Sequence, residues 1–356
     1  MADQRIKKLA SILVGHSLGV KKNDVVLIAS SSELGKPLVL EVFEEVLRAG
    51  GHPLLSVGFE ETQNIFYDNA SEDQLINFPK TKFYEAKNID CVVNIRAPLN
   101  KKSLSNADSR KISQRSIALK AIQETIVNEK RWILCNFPTQ ALAQEADMSL
   151  VEYEGFLYNA TNIDWNKVKK QEEKLKRVLD RGKEARIVGK DTDLKISIKG
   201  RKAISCYGER NMPDGEVFLS PIEDSAEGYI YYEMPAIYQG REVLGIRLRF
   251  RNGKVVEASA DKNEAFLLQM LDTDKGARFL GELGVGVNYG IQKFSKDILF
   301  DEKIGGTVHL AVGRSYEEAG GKNKSAIHWD MIKDLRKNGA LYIDGLPIQK
   351  NGKFLI

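Results

Sequence analysis

The first part of the chain alternates between two hydrophobic periodicities, and this constrains the fold more than any single residue does. Residues 24–29 (DVVLIA) read as a buried strand, and residues 34–48 carry apolar side chains at helical spacing that stops at Gly50-Gly51, a helix C-terminal signal. Residues 52–58 form a second strand pattern, followed by a polar helical stretch. Residues 90–96 (DCVVNIR) give a third strand, 108–127 a helix, and 131–136 (RWILCN) a fourth strand. Strands alternating with helices predict an α/β layer with a mainly parallel sheet. Residues 164–186 read as one long charged helix that serves as a connector. After Gly189 the pattern changes. Residues 194–198 alternate, Asn252-Gly253 is a two-residue hairpin turn, helices are expected at 263–270 and 276–279, and strand patterns return around His309 and His328. The second half is therefore a strand-rich α+β region, and the expected domains are 1–188 and 189–356.

Length and charge narrow the function classes. A chain of 356 residues exceeds what one core usually serves. The formal net charge is only +4, and residues 164–186 hold nine Lys/Arg against five Asp/Glu, so one solvated helix face carries an excess as large as that of the whole protein. That distribution argues against a nucleic-acid partner. Cys91, Cys135 and Cys206 have no paired spacing, so neither a disulfide framework nor a cysteine zinc motif is expected. The N-terminal residues lack the apolar stretch of a signal peptide and no run reaches transmembrane length, which gives a cytoplasmic expectation with no membrane partner.

Chemistry concentrates in the last third. His328 and Asp330 lie two apart in a run without a helix start signal; on a strand they share one face while Trp329 points to the other. On a helix the pair would diverge, so the strand reading makes them half of a divalent-metal site. His309 sits in another strand-like run, with Glu302 seven residues before it. Glu216 follows the turn residues Pro213 and Gly215, and Glu282 lies in the glycine-dense segment GELGVGVN, read as a loop. Three glutamates, one aspartate and two histidines would suit a pair of divalent ions such as zinc, cobalt or manganese, with magnesium a further option. Two nucleotide readings fail. Gly284-x-Gly286 lacks the third glycine and the βαβ unit of a dinucleotide fingerprint, and Gly320-Gly321-Lys322 lacks the leading glycine and following Ser/Thr of a P-loop.

The stretches NMPDGEVF (211–218), DKGARFLGELGVGVN (274–288), LFDEKIGGTVHLAVGRSY (299–316) and GGKNKSAIHWDMI (320–332) resemble the aminopeptidase T/aminopeptidase S family of metalloexopeptidases. Trp132, Pro138-Thr139, Met148-Ser149 and Glu152-Tyr153-Glu154 follow the family's order, so the resemblance spans nearly the whole chain. It implies a two-metal centre with Glu216, Glu282, Glu302, His309, His328 and Asp330 as ligands, Glu282 bridging, and Tyr316 as the catalytic tyrosine. Some relatives have a shorter link than Glu302–His309, which leaves Asp301 as an alternative to Glu302. The resemblance further implies a homodimer acting on peptides with a free N-terminus. A dinuclear amidohydrolase or phosphoesterase, and a non-catalytic binding protein, are the competing readings. Which carboxylate moves the proton is open.

Overall fold

The computed structural model describes residues 3–356, which divide into two compact units: the residues up to Asn162 with Gly208–Pro213, and Ile163–Tyr207 with Asp214–Ile356. The first unit holds β1 (Val25–Ser30), β2 (His52–Val57), β3 (Cys91–Arg96) and β4 (Arg131–Asn136). They pair in parallel in the order β2-β1-β3-β4, and the short strand Asn211–Met212 adds in parallel to β4. β1, β3 and β4 are largely buried, as strands covered by helices on both faces are, whereas β2 at the sheet edge leaves Leu54, Leu55 and Val57 exposed. The helix Lys36–Arg48, with Pro37 in its first turn, buries Leu38, Val39, Val42 and Val46. The helix Ser109–Glu129 starts on an Asp108 side-chain cap. The expected α/β layer is present.

The second unit is strand-rich and antiparallel. One sheet of eight strands runs Lys254–Ser259, Ile246–Arg251, Glu227–Tyr232, Thr192–Ser197, Glu184–Gly189, Ala340–Ile343, Leu346–Lys350 and Lys353–Phe354. The expected hairpin closes at Asn252 and Gly253, both at positive φ, as a two-residue turn of this type requires. A second sheet carries the candidate chemistry. Its central strands are β5 (Glu216–Leu219), β6 (Leu280–Gly286), β7 (Thr307–Gly313) and β8 (His328–Asp334), in the order β8-β7-β6-β5, with Ile204–Cys206 beyond β5.

Four expectations change. The second unit begins at Ile163, not near residue 188, because the charged helix Trp165–Arg181 sends Leu175 and Leu179 into that unit's core and Glu184–Gly189 pairs with two of its strands. The helix itself ends at Arg181, since Gly182 closes against Ile343, whose methyl would lie 2.6 Å from an added Cβ. Residues 276–279 form a turn rather than a helix: the Asp274 carboxylate accepts hydrogen bonds from the backbone N–H of Gly276 and Ala326 and from Ser325 Oγ. The glycine-dense segment around Glu282 is the fully buried strand β6, not a loop.

Candidate metal centre

Alternation along three adjacent strands builds the site. On β6, Leu283 and Val285 enter the core, leaving Glu282, Gly284 and Gly286 on the other face. On β7, Leu310 and Val312 are core and His309 and Ala311 share the site face; on β8, Trp329 and Met331 are core while His328 and Asp330 face the site. Trp329 stacks on Tyr238 with ring centroids 5.3 Å apart, as expected of a packing residue. Register then aligns Glu282, Ala311 and Asp330 in one row across the sheet, past a bulge between Leu280 and Glu282. Ala311, between two carboxylates, leaves the row open. Gly284 pairs with His309, and a Cβ there would stand 2.0 Å from the imidazole Cε1 and Nε2. The glycines of β6 therefore make room for the ring. Gly215, at φ +116°, lies against Asn288 and delivers the chain into β5 with Glu216 as its first residue.

All six candidate ligands meet here. His309 Nε2 stands 3.2 Å from Glu216 Oε2 and 3.2 Å from Glu282 Oε1; His328 Nε2 stands 3.3 Å from Glu282 Oε2 and 3.4 Å from Asp330 Oδ2. Each oxygen of Glu282 thus faces a different histidine. Ligand-type atoms of Glu216, Glu302 and His309 lie within 4.8 Å of one another, as do those of Glu282, His328 and Asp330. The second nitrogen of each ring is committed: His309 Nδ1 is 2.9 Å from the Glu302 carbonyl and His328 Nδ1 is 2.7 Å from that of Arg314. A carbonyl can only accept, so each Nδ1 carries the proton and each Nε2 points at the carboxylates. This is how metal-binding histidines are oriented. Asp301, by contrast, accepts from Ser295 N at 2.7 Å and Ser295 Oγ at 2.8 Å. It is Glu302, not Asp301, that reaches the cluster. Tyr316 lies just beyond β7, its ring 5.2 Å from that of His328 and 39% of its surface exposed.

The electrostatics are those of crowded buried charge. Burial acts first on Glu216, and with the Glu302 and Glu282 charges it outweighs Lys303 and His309, pushing the carboxyl up to about 8. Burial also pushes Glu282 up, but hydrogen bonds from His309 and His328 prevail and bring it down to about 2. Burial disfavours charge on both imidazoles, yet contact with Glu282 and the neighbouring carboxylates raise His309 to about 10 and His328 to about 9. Asp330 rises to about 6, from burial above all. Burial, then Glu282 and Asp330, push the Tyr316 phenol upward, so it remains a proton donor.

These residues fit a divalent metal. Buried carboxylates normally pair with a cation or take hydrogen bonds, yet Glu216 Oε2 and Asp330 Oδ1 are buried without a hydrogen-bond partner. Oxygen and imidazole nitrogen are the donor set of zinc, cobalt or manganese. Two features escaped the sequence. Cys206 and Asp214 join Glu216 in a third compact group, whose thiol is held protonated by burial and then by the Asp214 and Glu216 charges. Lys303 is fully buried against Glu302 and Glu216. The Asp214-x-Glu216 spacing was a signal for the first; nothing distinguished Lys303 from a solvated lysine.

With this geometry in hand, the profile of a family described as thermophilic metalloprotease (M29) matches residues 2–354. The chain belongs to that family. Among the curated relatives, aminopeptidase T of Thermus thermophilus is 34% identical over 167 residues, 41% of this chain and 40% of that protein. The match thus spans about two fifths of that relative's length. Aminopeptidase 2 of Geobacillus stearothermophilus is 24% identical over 403 aligned positions, covering 99% of this chain and 95% of that protein. The structure titled wild-type AmpT from Thermus thermophilus shares the fold with a TM-score of 0.84 at 23% identity, covering 99% of each chain. A 2,5-dihydroxypyridine dioxygenase from Pseudomonas putida also matches, at TM-score 0.59 and 15% identity over 99% of this chain and 97% of that one. The metalloprotease assignment therefore rests on the family match and the site, not on the fold.

Proposed function

We propose that this protein is a metallo-aminopeptidase that removes residues from the free N-terminus of peptides at a dinuclear centre. The observation that carries this is the Glu282 carboxylate, whose two oxygens face the Nε2 atoms of His309 and His328. In this reading Glu282 bridges, Glu216, Glu302 and His309 complete one side, and His328 and Asp330 complete the other. Two divalent ions held there would supply electrophilic polarisation of the scissile carbonyl and a water acidified toward neutral pH.

The remaining roles fall to the chain itself. The backbone carbonyls of Glu302 and Arg314 hold both rings in the orientation that offers Nε2. Tyr316, anchored by its backbone N–H to Ser220 Oγ at 3.1 Å, is placed to donate its phenolic proton to the developing oxyanion. The carboxylate that passes a proton to the leaving amine is not assigned, because a carboxylate held on a metal ion is a poorer base than a free one. A phosphoesterase would need several cations to hold phosphate, but only Arg314 and Lys324 stand out near the ligands and Lys303 is engaged by two acids. The aminopeptidase names of the relatives favour peptide as substrate. Homodimeric assembly rests on the family resemblance, and a cytoplasmic setting on the sequence reading alone; no helix among the described residues is long and apolar enough to cross a membrane.

The test compares one peptide with a free N-terminus and with an acetylated one, after metal removal and after readdition of zinc, cobalt or manganese. Cleavage of the free peptide that needs the metal, with loss by orders of magnitude on acetylation, is the expected result. Comparable cleavage of both peptides would move the assignment to a general amidohydrolase.

A further inference from the structure

Lys303 has no part in that chemistry, yet its side chain is 0% exposed and its ammonium lies in the middle of the acids. It is paired with Glu302 Oε1 and stands 3.5 Å from Glu216 Oε1. Both carboxylates belong to the group with His309. Among the described residues, neither Lys nor Arg pairs with Glu282 or Asp330, so the group with His328 has no resident cation. The two halves of the centre are therefore electrostatically unequal.

We infer that Lys303 is a built-in cation that sets the order of metal loading: the Glu282–His328–Asp330 group fills first and tightly, and the Glu216–Glu302–His309 group fills second and weakly, against the ammonium. The inference rests on the metal-centre reading above. An ion in the second group meets a like charge in a buried setting where solvent screens little. The lysine cannot simply withdraw. Its backbone N–H donates to Phe300 O at 3.0 Å and its carbonyl accepts from Asn288 N at 3.0 Å, and Gly305-Gly306 follow in a tight turn. Nor does it exclude the second ion. Glu216 gives one oxygen to the lysine side and turns the other, without a hydrogen-bond partner, toward His309 at 3.2 Å. Moreover, five buried or nearly buried carboxylates (Asp214, Glu216, Glu282, Glu302 and Asp330) are balanced by two divalent ions and one ammonium, whereas a single ion leaves net negative charge in the interior. Lys303 thus splits the two affinities without removing either site.

The experiment is a titration of metal-free full-length protein with cobalt(II), read by visible absorption and by bound metal after equilibrium dialysis. Wild type should bind in two steps separated by at least about tenfold in affinity. Lys303→Met, which keeps the chain length and removes the charge, should tighten the second step by at least about tenfold and bring the two together. His309→Ala should abolish the second step and keep the first; His328→Ala should weaken the first. If Lys303→Met does not fold, Lys303→Gln takes its place in the same titration. Two ions bound with equal affinity in wild type, or an unchanged second step in Lys303→Met, would overturn the role of Lys303 and leave the centre standing. Failure to bind any ion would remove the centre and this inference together.

Discussion

A single methyl group on Gly284 should disable one half of the centre. The added Cβ would lie 2.0 Å from His309 Cε1 and Nε2, whereas carbon atoms in contact sit about 3.5–4.0 Å apart, so the ring must retreat by roughly 1.5 Å. It has nowhere to go without loss, because Nδ1 is bonded to the Glu302 carbonyl and the strand around it is buried throughout. Overpacking costs about 1–3 kcal/mol, and a buried N–H left without its acceptor costs a further ~1–3 kcal/mol. Gly284→Ala should therefore lose about 2–6 kcal/mol, which for a unit of this size lowers Tm on the order of 10 °C. A displacement of this size in the ligand geometry should also cost about a hundredfold in turnover. Thermal unfolding of the metal-free protein and metal content after dialysis check both parts, with the His309 group losing its ion and the His328 group retaining one. Wild-type Tm together with wild-type metal content would show that the close approach of β6 to His309 does not control the site.

Tyr316→Phe should keep fold and metals while turnover falls by about a hundred- to a thousandfold, the value of one oxyanion donor; an unchanged rate would make the tyrosine structural. Metal binding should release protons: His309 at about 10, His328 at about 9 and Glu216 at about 8 all hold one at neutral pH in the metal-free state. Apparent affinity should accordingly weaken as pH falls and strengthen as pH rises toward these values. Calorimetry in buffers of different ionisation enthalpy measures the release, and pH-independent affinity without proton release would contradict it. Gly155→Ala, in the helix Leu150–Thr161 with nothing within 4 Å of the new methyl, should stabilise by about 0.5–1 kcal/mol and leave metal binding alone, which denaturant unfolding can read.

What could be read from the sequence follows from which interactions are local. β1 to β4 of the first unit are short apolar runs flanked by helix signals, and both patterns are local, whereas the two-residue strand Asn211–Met212 is too short to show either. His328-x-Asp330 was legible because strand alternation alone puts the pair on one face. The glycines at 284 and 286 pointed to a loop; their meaning depends on His309 and the Ile304 carbonyl across the strand pairs, contacts that sequence spacing does not encode. Asp301 and Glu302 are told apart only by the fold: the Ser295 backbone N–H donates to the first, and the second turns toward His309. The charged helix at Trp165–Arg181 looked like a connector because its solvated faces outweigh the stripe of Leu175 and Leu179 that commits it to the second unit. Lys303 was the least readable of all, since a lysine side chain is buried or solvated according to neighbours that arrive from β5.

Whether Glu282 bridges two ions can be seen by anomalous X-ray scattering from crystals soaked in saturating zinc. Two peaks are expected flanking the Glu282 carboxylate, one near His309 Nε2 with Glu216 and Glu302, the other near His328 Nε2 with Asp330. Saturating zinc that left no anomalous peak beside Glu282, or that placed both ions away from these histidines, would contradict the bridging role.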